Sequence, residues 1–220
     1  MTPSAATLVL ATHNAGKVAE LRAILAGLDV TLIDAATAAL PEVEETGDTF
    51  SANALLKARA GVAASGLPCV ADDSGLAVDA LDGAPGILSA RWARVHDALP
   101  DAQDPDRADL DRADVDRANL HLVLEQLRDV PADRRTARFV CAAALALPDG
   151  TWETVEATLV GSLLTAPRGE GGFGYDPLFL PRGGDRTTAE MTSSEKHAIS
   201  HRGKAFRALR PVIARHLGGT

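Results

Sequence analysis

Only four of the 22 basic residues in this 220-residue chain are lysines. Three of them stand inside short polar motifs: Thr12-His13-Asn14-Ala15-Gly16-Lys17, Asn53-Ala54-Leu55-Leu56-Lys57 and Ser193-Ser194-Glu195-Lys196. An ammonium is a compact point charge suited to phosphate oxygens, so this placement points to a phosphate-rich ligand rather than to bulk positive charge. Compositional drift in a chain rich in Ala, Arg, Asp and Gly is the competing explanation, and the neighbours of the lysines weigh against it. Asp72 and Asp73 end an apolar run in Ala71-Asp72-Asp73-Ser74-Gly75-Leu76, and Glu44 and Glu45 form a second acidic pair. Mg²⁺ takes one or two protein carboxylates and completes its shell with waters and substrate phosphate oxygens, so one of the aspartates and one of the glutamates could serve it. Side chains alternate along a strand, so one aspartate is expected to face the chemistry and its neighbour to be a structural partner. Taken alone, Asp-Asp-Ser-Gly also reads as a capped turn.

Two further segments carry recognition chemistry. In Gly169-Glu170-Gly171-Gly172-Phe173-Gly174-Tyr175-Asp176-Pro177 the glycines let backbone approach a ligand, and Phe173 among them is suited to stack on a base. Ser193 to Lys204 gathers cations and hydroxyls around a helix start. His197 and His201 are four residues apart, yet no third zinc ligand accompanies them, and donors to phosphate and to a base carbonyl are the more economical reading. Gly16-Lys17 invites a P-loop, but Ala11 replaces the first glycine and Val18 the hydroxyl residue. What remains is a helix start with Thr12, Asn14 and Lys17 about it, which suits an anion; Asn14 could equally be only a helix cap.

These groups need elements to hold them. Residues 7–12 read as a strand ending in a loop, followed by a helix with Val18, Leu21, Ile24, Leu25 and Leu28 on its apolar face. A second strand is expected at Val30 to Asp34, and a helix from about Thr49 to Ala64 capped by Asp48 or Thr49. Strands are expected at 67–72 and 75–80, with Ser74-Gly75 permitting a turn. A hairpin of 138–147 and 152–163 turns at Pro148-Asp149-Gly150. The last 25 residues read as one helix. Helix and strand alternate early and hairpin character follows, which predicts an α/β fold with a mixed sheet in a single domain, residues 1–220. The five-residue repeat from Asp106 to Asn119 reads as a solvated helical lead-in with Asp109/Arg112 and Asp114/Arg117 pairs, a surface rather than a site.

Composition limits the partners. A net charge of −8 argues against a nucleic-acid or anionic-membrane surface. No apolar segment approaches the roughly 18 residues of a membrane span, and no basic stretch precedes the first apolar run, so a cytoplasmic protein is expected. Cys69 and Cys141 lie in apolar runs and read as buried free thiols.

Taken in order, the motifs resemble the inosine triphosphate pyrophosphatase family, the non-canonical purine NTP pyrophosphatases or XTP/dITP diphosphatases. They are T-x-N-x-x-K at 12–17, E-E-T-G-x-T-F at 44–50, N-A-x-x-K-A at 53–58, A-D-D-S-G-L at 71–76, G-A-P-G at 83–86, G-G-F-G-Y-D-P at 171–177 and E-K-x-x-x-S-H-R at 195–202. The resemblance runs from Leu8 to about Leu209 and departs in a longer acidic stretch from about His96 to Asp116. It implies an elongated mixed sheet flanked by helices, two lobes about a deep nucleotide cleft, and a homodimer. It also implies Mg²⁺-dependent hydrolysis of ITP, dITP and XTP to the monophosphate and pyrophosphate, which cleanses the nucleotide pool.

By the same likeness Thr12, His13, Asn14, Ala15, Gly16 and Lys17, with Lys57, hold the triphosphate, although His13 occupies a variable position. Asp73 is the proton acceptor and a metal ligand, and Glu45 assists the metal. Ser74, Phe173, Gly174, Tyr175, Asp176, Lys196, His201 and Arg202 contact the nucleotide. On one continuous helix Lys196 and His201 would lie roughly 140° apart, so the ligand is expected to span the helix end. Two alternatives remain open: a Maf-like pyrophosphatase acting on other modified or pyrimidine nucleotides, and a nucleotide-binding module without catalysis.

Overall fold

The computed structural model describes residues 5–99 and 111–218. Twelve elements position the groups singled out above. The strands are β1 (Ala6–Leu10), β2 (Val30–Asp34), β3 (Cys69–Val78), β4 (Thr136–Ala146), β5 (Trp152–Leu163) and β6 (Phe179–Pro181). The helices are α1 (Ala15–Ile24), α2 (Phe50–Ser65), α3 (Trp92–Val95), α4 (Arg112–Gln126), α5 (Ser193–Ile199) and α6 (His201–Leu217). The sheet order is β2-β1-β3-β4-β5-β6, with β1 parallel to β2 and β3 and β6 antiparallel to β5. The predicted mixed α/β fold is therefore present.

The chain forms two compact units. The first comprises residues up to Ser74, Val140–Thr158 and those from His197 onward. Its strands alternate cleanly. Leu8, Leu10, Val70, Cys141, Ala143 and Leu145 face α1 and α6, where Leu21, Leu25, Phe206, Leu209 and Ile213 complete one core. The intervening Ala71, Ala142, Ala144 and Ala146 face Ala54 and Ala58 of α2. Alanine on that face lets α2 lie close to the sheet. Thr49 caps α2 by accepting the Ala52 N–H, and Gly66 ends it in the left-handed region.

The second unit comprises Gly75–Phe139 and Leu159–Lys196. Phe139 and Phe179 stack with ring centroids 4.3 Å apart. The helix α4 is anchored along its length: Asn119 accepts the Ala93 N–H at 2.7 Å, and the Trp92 indole donates to Gln126 at 2.9 Å. Buried Arg135 donates to the carbonyls of Leu127 and Val130 just past the helix end.

Three expectations change. Residues 69–78 form one strand with no turn at Ser74-Gly75, because β3 lies between β1 and β4 and its ladder keeps the backbone extended. The terminal helix is two helices, since Ser200 adopts extended backbone and caps α6 through the Gly203 N–H. That break removes the continuous helix on which Lys196 and His201 were placed, and the last helix instead starts at His201. The strand β6 was not anticipated. The Asp109/Arg112 pair lies outside the described residues, whereas Arg117 and Asp114 do pair, at 3.2 Å.

Candidate active site

The two adjacent aspartates of β3 serve opposite faces of the sheet, as strand alternation requires. Asp72 points to the side of α1 and α6. Its Oδ2 accepts from the Lys17 ammonium at 2.9 Å and from Arg202 Nε at 3.1 Å, while Oδ1 is buried without a hydrogen-bond partner. Burial opposes the Asp72 charge, but Lys17, Arg202 and Lys57 outweigh it and hold the carboxyl well below the usual carboxylate range. Arg202 also donates to Glu20 Oε2 at 3.1 Å and to Ser74 Oγ at 2.9 Å. Ser200 donates to the other Glu20 oxygen at 3.3 Å. For Arg202 burial alone would weaken the charge; the Asp72 carboxylate chiefly reverses that, with Glu20 contributing less.

Asp73 points toward α2. Lys57 lies between two carboxylates there, 2.5 Å from Glu45 Oε1 and 3.2 Å from Asp73 Oδ1. Asn53, one turn before Lys57 on α2, donates to Asp73 Oδ2 at 3.2 Å and accepts the Gly47 N–H at 2.8 Å. Position 47 admits only glycine: a Cβ would lie 2.8 Å from both Ala52 Cβ and Asn53 Oδ1. Asn53 thus ties the loop carrying Glu45 to the strand carrying Asp73. Burial pushes the Asp73 carboxyl up and the Glu45 charge adds to it, more than Lys57 and Asn53 pull it back. A buried carboxyl raised in this way is a stronger base than an exposed one.

At the amino end of α1, Asn14 caps the helix by accepting the Lys17 N–H at 3.1 Å, and Thr12 Oγ1 accepts the Asn14 N–H at 3.2 Å. His13 is exposed, and Gly16 lies in the first turn. Lys17 leaves this helix start to reach Asp72. His201 is buried in the first turn of α6, beside Arg202.

In the second unit the aromatic loop forms its own group. Asp176 accepts from the Phe173 N–H and the Thr188 hydroxyl, each at 2.8 Å, and from the Lys196 ammonium. That ammonium also lies 4.6 Å from the centre of the Phe173 ring, which is 48% exposed. Gly172 has φ +76, and a side chain there would run into the Asp176 carboxylate. Tyr175 is buried and donates to the Ser89 carbonyl at 2.9 Å; burial pushes its phenol up. It is a fixed post rather than an acid or base.

The charged residues named from the sequence thus gather in three groups, while Thr12, His13, Asn14, Ala15 and Gly16 stay at the start of α1, Gly174 and Tyr175 in the aromatic loop and His201 in the first turn of α6. Lys17 and Arg202 meet at Asp72 with Ser74 held by Arg202, Glu45 and Asp73 share Lys57, and Phe173, Asp176 and Lys196 meet in the second unit. Glu20 and Asn53 were missed as site residues. Glu20 lies three residues after Lys17 on α1, and Asn53 four before Lys57 on α2, spacings that put each on its lysine's face.

A lysine and carboxylate centre on a central strand of a mixed α/β sheet defines the class. Residues 8–212 match the model of the Ham1 family, and the chain belongs to that family. It is 56% identical over 214 residues to a protein of Streptomyces coelicolor named dITP/XTP pyrophosphatase, covering 96% of this chain and 98% of that one. Among solved structures it is similar to a HAM1 protein from Coxiella burnetii, with a TM-score of 0.81 at 36% identity, covering 96% of this chain and 99% of that one. It is also similar to the nucleoside-triphosphatase / dITP/XTP pyrophosphatase of Mycobacterium abscessus, with a TM-score of 0.69 at 47% identity over 93% of this chain and 99% of that one.

Proposed function

We propose that the protein hydrolyses non-canonical purine nucleoside triphosphates (dITP, ITP and XTP) to the monophosphate and pyrophosphate. The observation that carries this is Lys57 held between Glu45 and the buried Asp73, a base and a phosphate-binding cation in one cluster. The names of the relatives support the substrate class.

Water attacking a substrate with about four negative charges needs charge neutralisation and a proton acceptor. Lys17 and Lys57, with the helix start at Thr12 to Lys17, supply the first, and Asp73 the second. Arg202 stands beside Lys17 on Asp72 and donates to Ser74, and both are assigned to the nucleotide with His201. Phe173 offers a stacking face to the base, fixed by Lys196 and Asp176. A donor aimed at a 6-oxo group loses its partner when the base carries an amino group, and such a loss is worth several powers of ten in rate.

Mg²⁺ is the proposed cofactor. Asp73 and Glu45 fit it: both lie within contact of the single Lys57 ammonium, so two carboxylates can face one cation. Two carboxylates form the sparse all-oxygen donor set that Mg²⁺ completes with waters and substrate phosphate oxygens. When bound, the ion would polarise the phosphoryl oxygens.

We assign the protein to the cytoplasm as a homodimer that cleanses the nucleotide pool. Among the described residues no helix is long and apolar enough to cross a membrane. Pyrophosphate release from dITP and dATP, with and without Mg²⁺, tests the function. Turnover of dITP alone and only with Mg²⁺ is expected, and equal turnover of dATP would remove the base selectivity. Light scattering on the purified protein tests the dimer.

A further inference from the structure

The repeat Asp-Arg-Ala-Asp/Asn reads as surface in the sequence, yet its last acid is not on the surface. A five-residue period on a helix of 3.6 residues per turn rotates each unit by roughly 140°, so equivalent acids meet different surroundings. Asp111 caps α4 by accepting the Asp114 N–H at 3.0 Å, and Asp114 pairs with Arg117 in solvent. Asp116 turns inward, on the face that carries Asn119, Leu120 and Val123, and its side chain is only 13% exposed. Its Oδ2 accepts the Gly174 N–H at 3.0 Å, across 58 residues of sequence, and its Oδ1 lies 3.5 Å from Arg112.

Gly174 sits between Phe173 and Tyr175 with φ +61. The Phe173 side of the loop is fixed through Asp176, and the Tyr175 side through Ser89. The peptide joining Phe173 to Gly174 is held by Asp116, and α4 is an anchored base for that contact. A carboxylate accepting from a backbone N–H makes the stronger, charge-assisted kind of hydrogen bond.

We propose that Asp116 is a positioning residue for nucleobase recognition: through the Gly174 N–H it sets the orientation of the Phe173 ring. The loop's role in base recognition rests on the function proposed above; its anchoring by Asp116 does not. Asp116 touches no substrate and leaves the phosphate chemistry of the first unit alone.

Four proteins test this: the parent, Asp116→Ala, Asp116→Asn, which keeps an acceptor oxygen, and Arg112→Ala, which keeps the Gly174 contact. Amide hydrogen exchange of residues 171–177 reads the anchoring without any substrate. Loss of the contact lowers protection by about tenfold in Asp116→Ala, with most of it restored in Asp116→Asn. Steady-state kinetics with dITP read the positioning. The KM rises by about tenfold in Asp116→Ala while kcat changes far less. Inhibition by inorganic tripolyphosphate, which has no base, stays as in the parent, and Arg112→Ala resembles the parent throughout.

Unchanged protection of the loop in Asp116→Ala overturns the anchoring. Lost protection with unchanged KM overturns the positioning, as does an Asp116→Asn protein as impaired as Asp116→Ala. An equal loss of tripolyphosphate inhibition would show a general structural role instead. A parent protein that does not turn over dITP sinks the proposed function, and the exchange measurement then still decides whether Asp116 anchors the loop.

Discussion

The folded protein holds Asp73 against its charge, and that has a sign for both stability and rate. An acid whose folded pKa exceeds its unfolded value of about 3.9 binds its proton more tightly when folded, so stability is lost as pH rises through that window. At neutral pH an amide in its place is the more comfortable group. Asp73→Asn should therefore melt higher than the parent in calorimetry while losing about a thousandfold or more of pyrophosphate release from dITP, if Asp73 is the general base proposed above; retained turnover or a lower melting point counts against it. Glu45 contributes a like charge to Asp73. In Glu45→Gln the Asp73 pKa falls, and the acid limb of the kcat/KM profile moves to lower pH on a reduced plateau; an unmoved limb would separate the two carboxylates. The lysines can be compared directly. Lys196 holds Asp176 and lies over Phe173, whereas Lys204 only donates to the Thr158 carbonyl at 3.1 Å in an exposed position. Lys196→Arg puts a wider planar fork where a point charge sits and should raise the KM for dITP several-fold, with Lys204→Arg kinetically like the parent.

At the scale of the element, Ser200 is the residue that makes two helices out of one. Its hydroxyl oxygen accepts the Gly203 N–H at 2.9 Å and its proton goes to Glu20, which in turn holds Arg202. Ser200→Ala should cost about 1 kcal/mol of stability in urea denaturation, with Ser200→Thr retaining most of it. This break was illegible in the sequence because Ile199 and Phe206 keep a helical stripe across it; only the capping geometry separates the helices. α2 was legible because its ends carry their own signals: Thr49 offers a cap and Gly66 a left-handed stop. The continuity of β3 was not, since Ser74-Gly75 has turn composition and only the flanking strands overrule it. The site divides along the same line. Lysines, aspartates and Phe173 announce themselves by type and motif, whereas Glu20 and Asn53 show only a helical spacing to a lysine and act, like Asp116, through contacts up to 182 residues away in sequence.

At the scale of the whole molecule, acid should unfold this protein partly through one residue. Asp72 has a folded pKa depressed below its unfolded value, so its contribution is complete above about pH 3.9 and is lost as pH falls from there toward the folded value. Asp72→Asn should lower stability at pH 7 by about 3 kcal/mol, because Lys17 and Arg202 lose the charge that compensates them, and it should flatten the pH dependence of stability below about pH 5. Chemical denaturation across that range checks both. Surface pairs such as Arg128 with Glu125 and Arg138 with Asp79 are exposed and contribute little by comparison. The prior pairing of Lys17 with Asp72 and of Lys57 with Glu45 and Asp73 also bears on which anions this protein ignores. A ligand does not fall onto waiting cations; it must displace resident carboxylates that are already well placed. On the function proposed above, a lone phosphate group would bring little charge to that exchange, whereas the tail of a triphosphate would bring about four negative charges. Sites guarded in this way would act as a threshold, favouring the highly charged tail of a triphosphate over inorganic phosphate or a monophosphate.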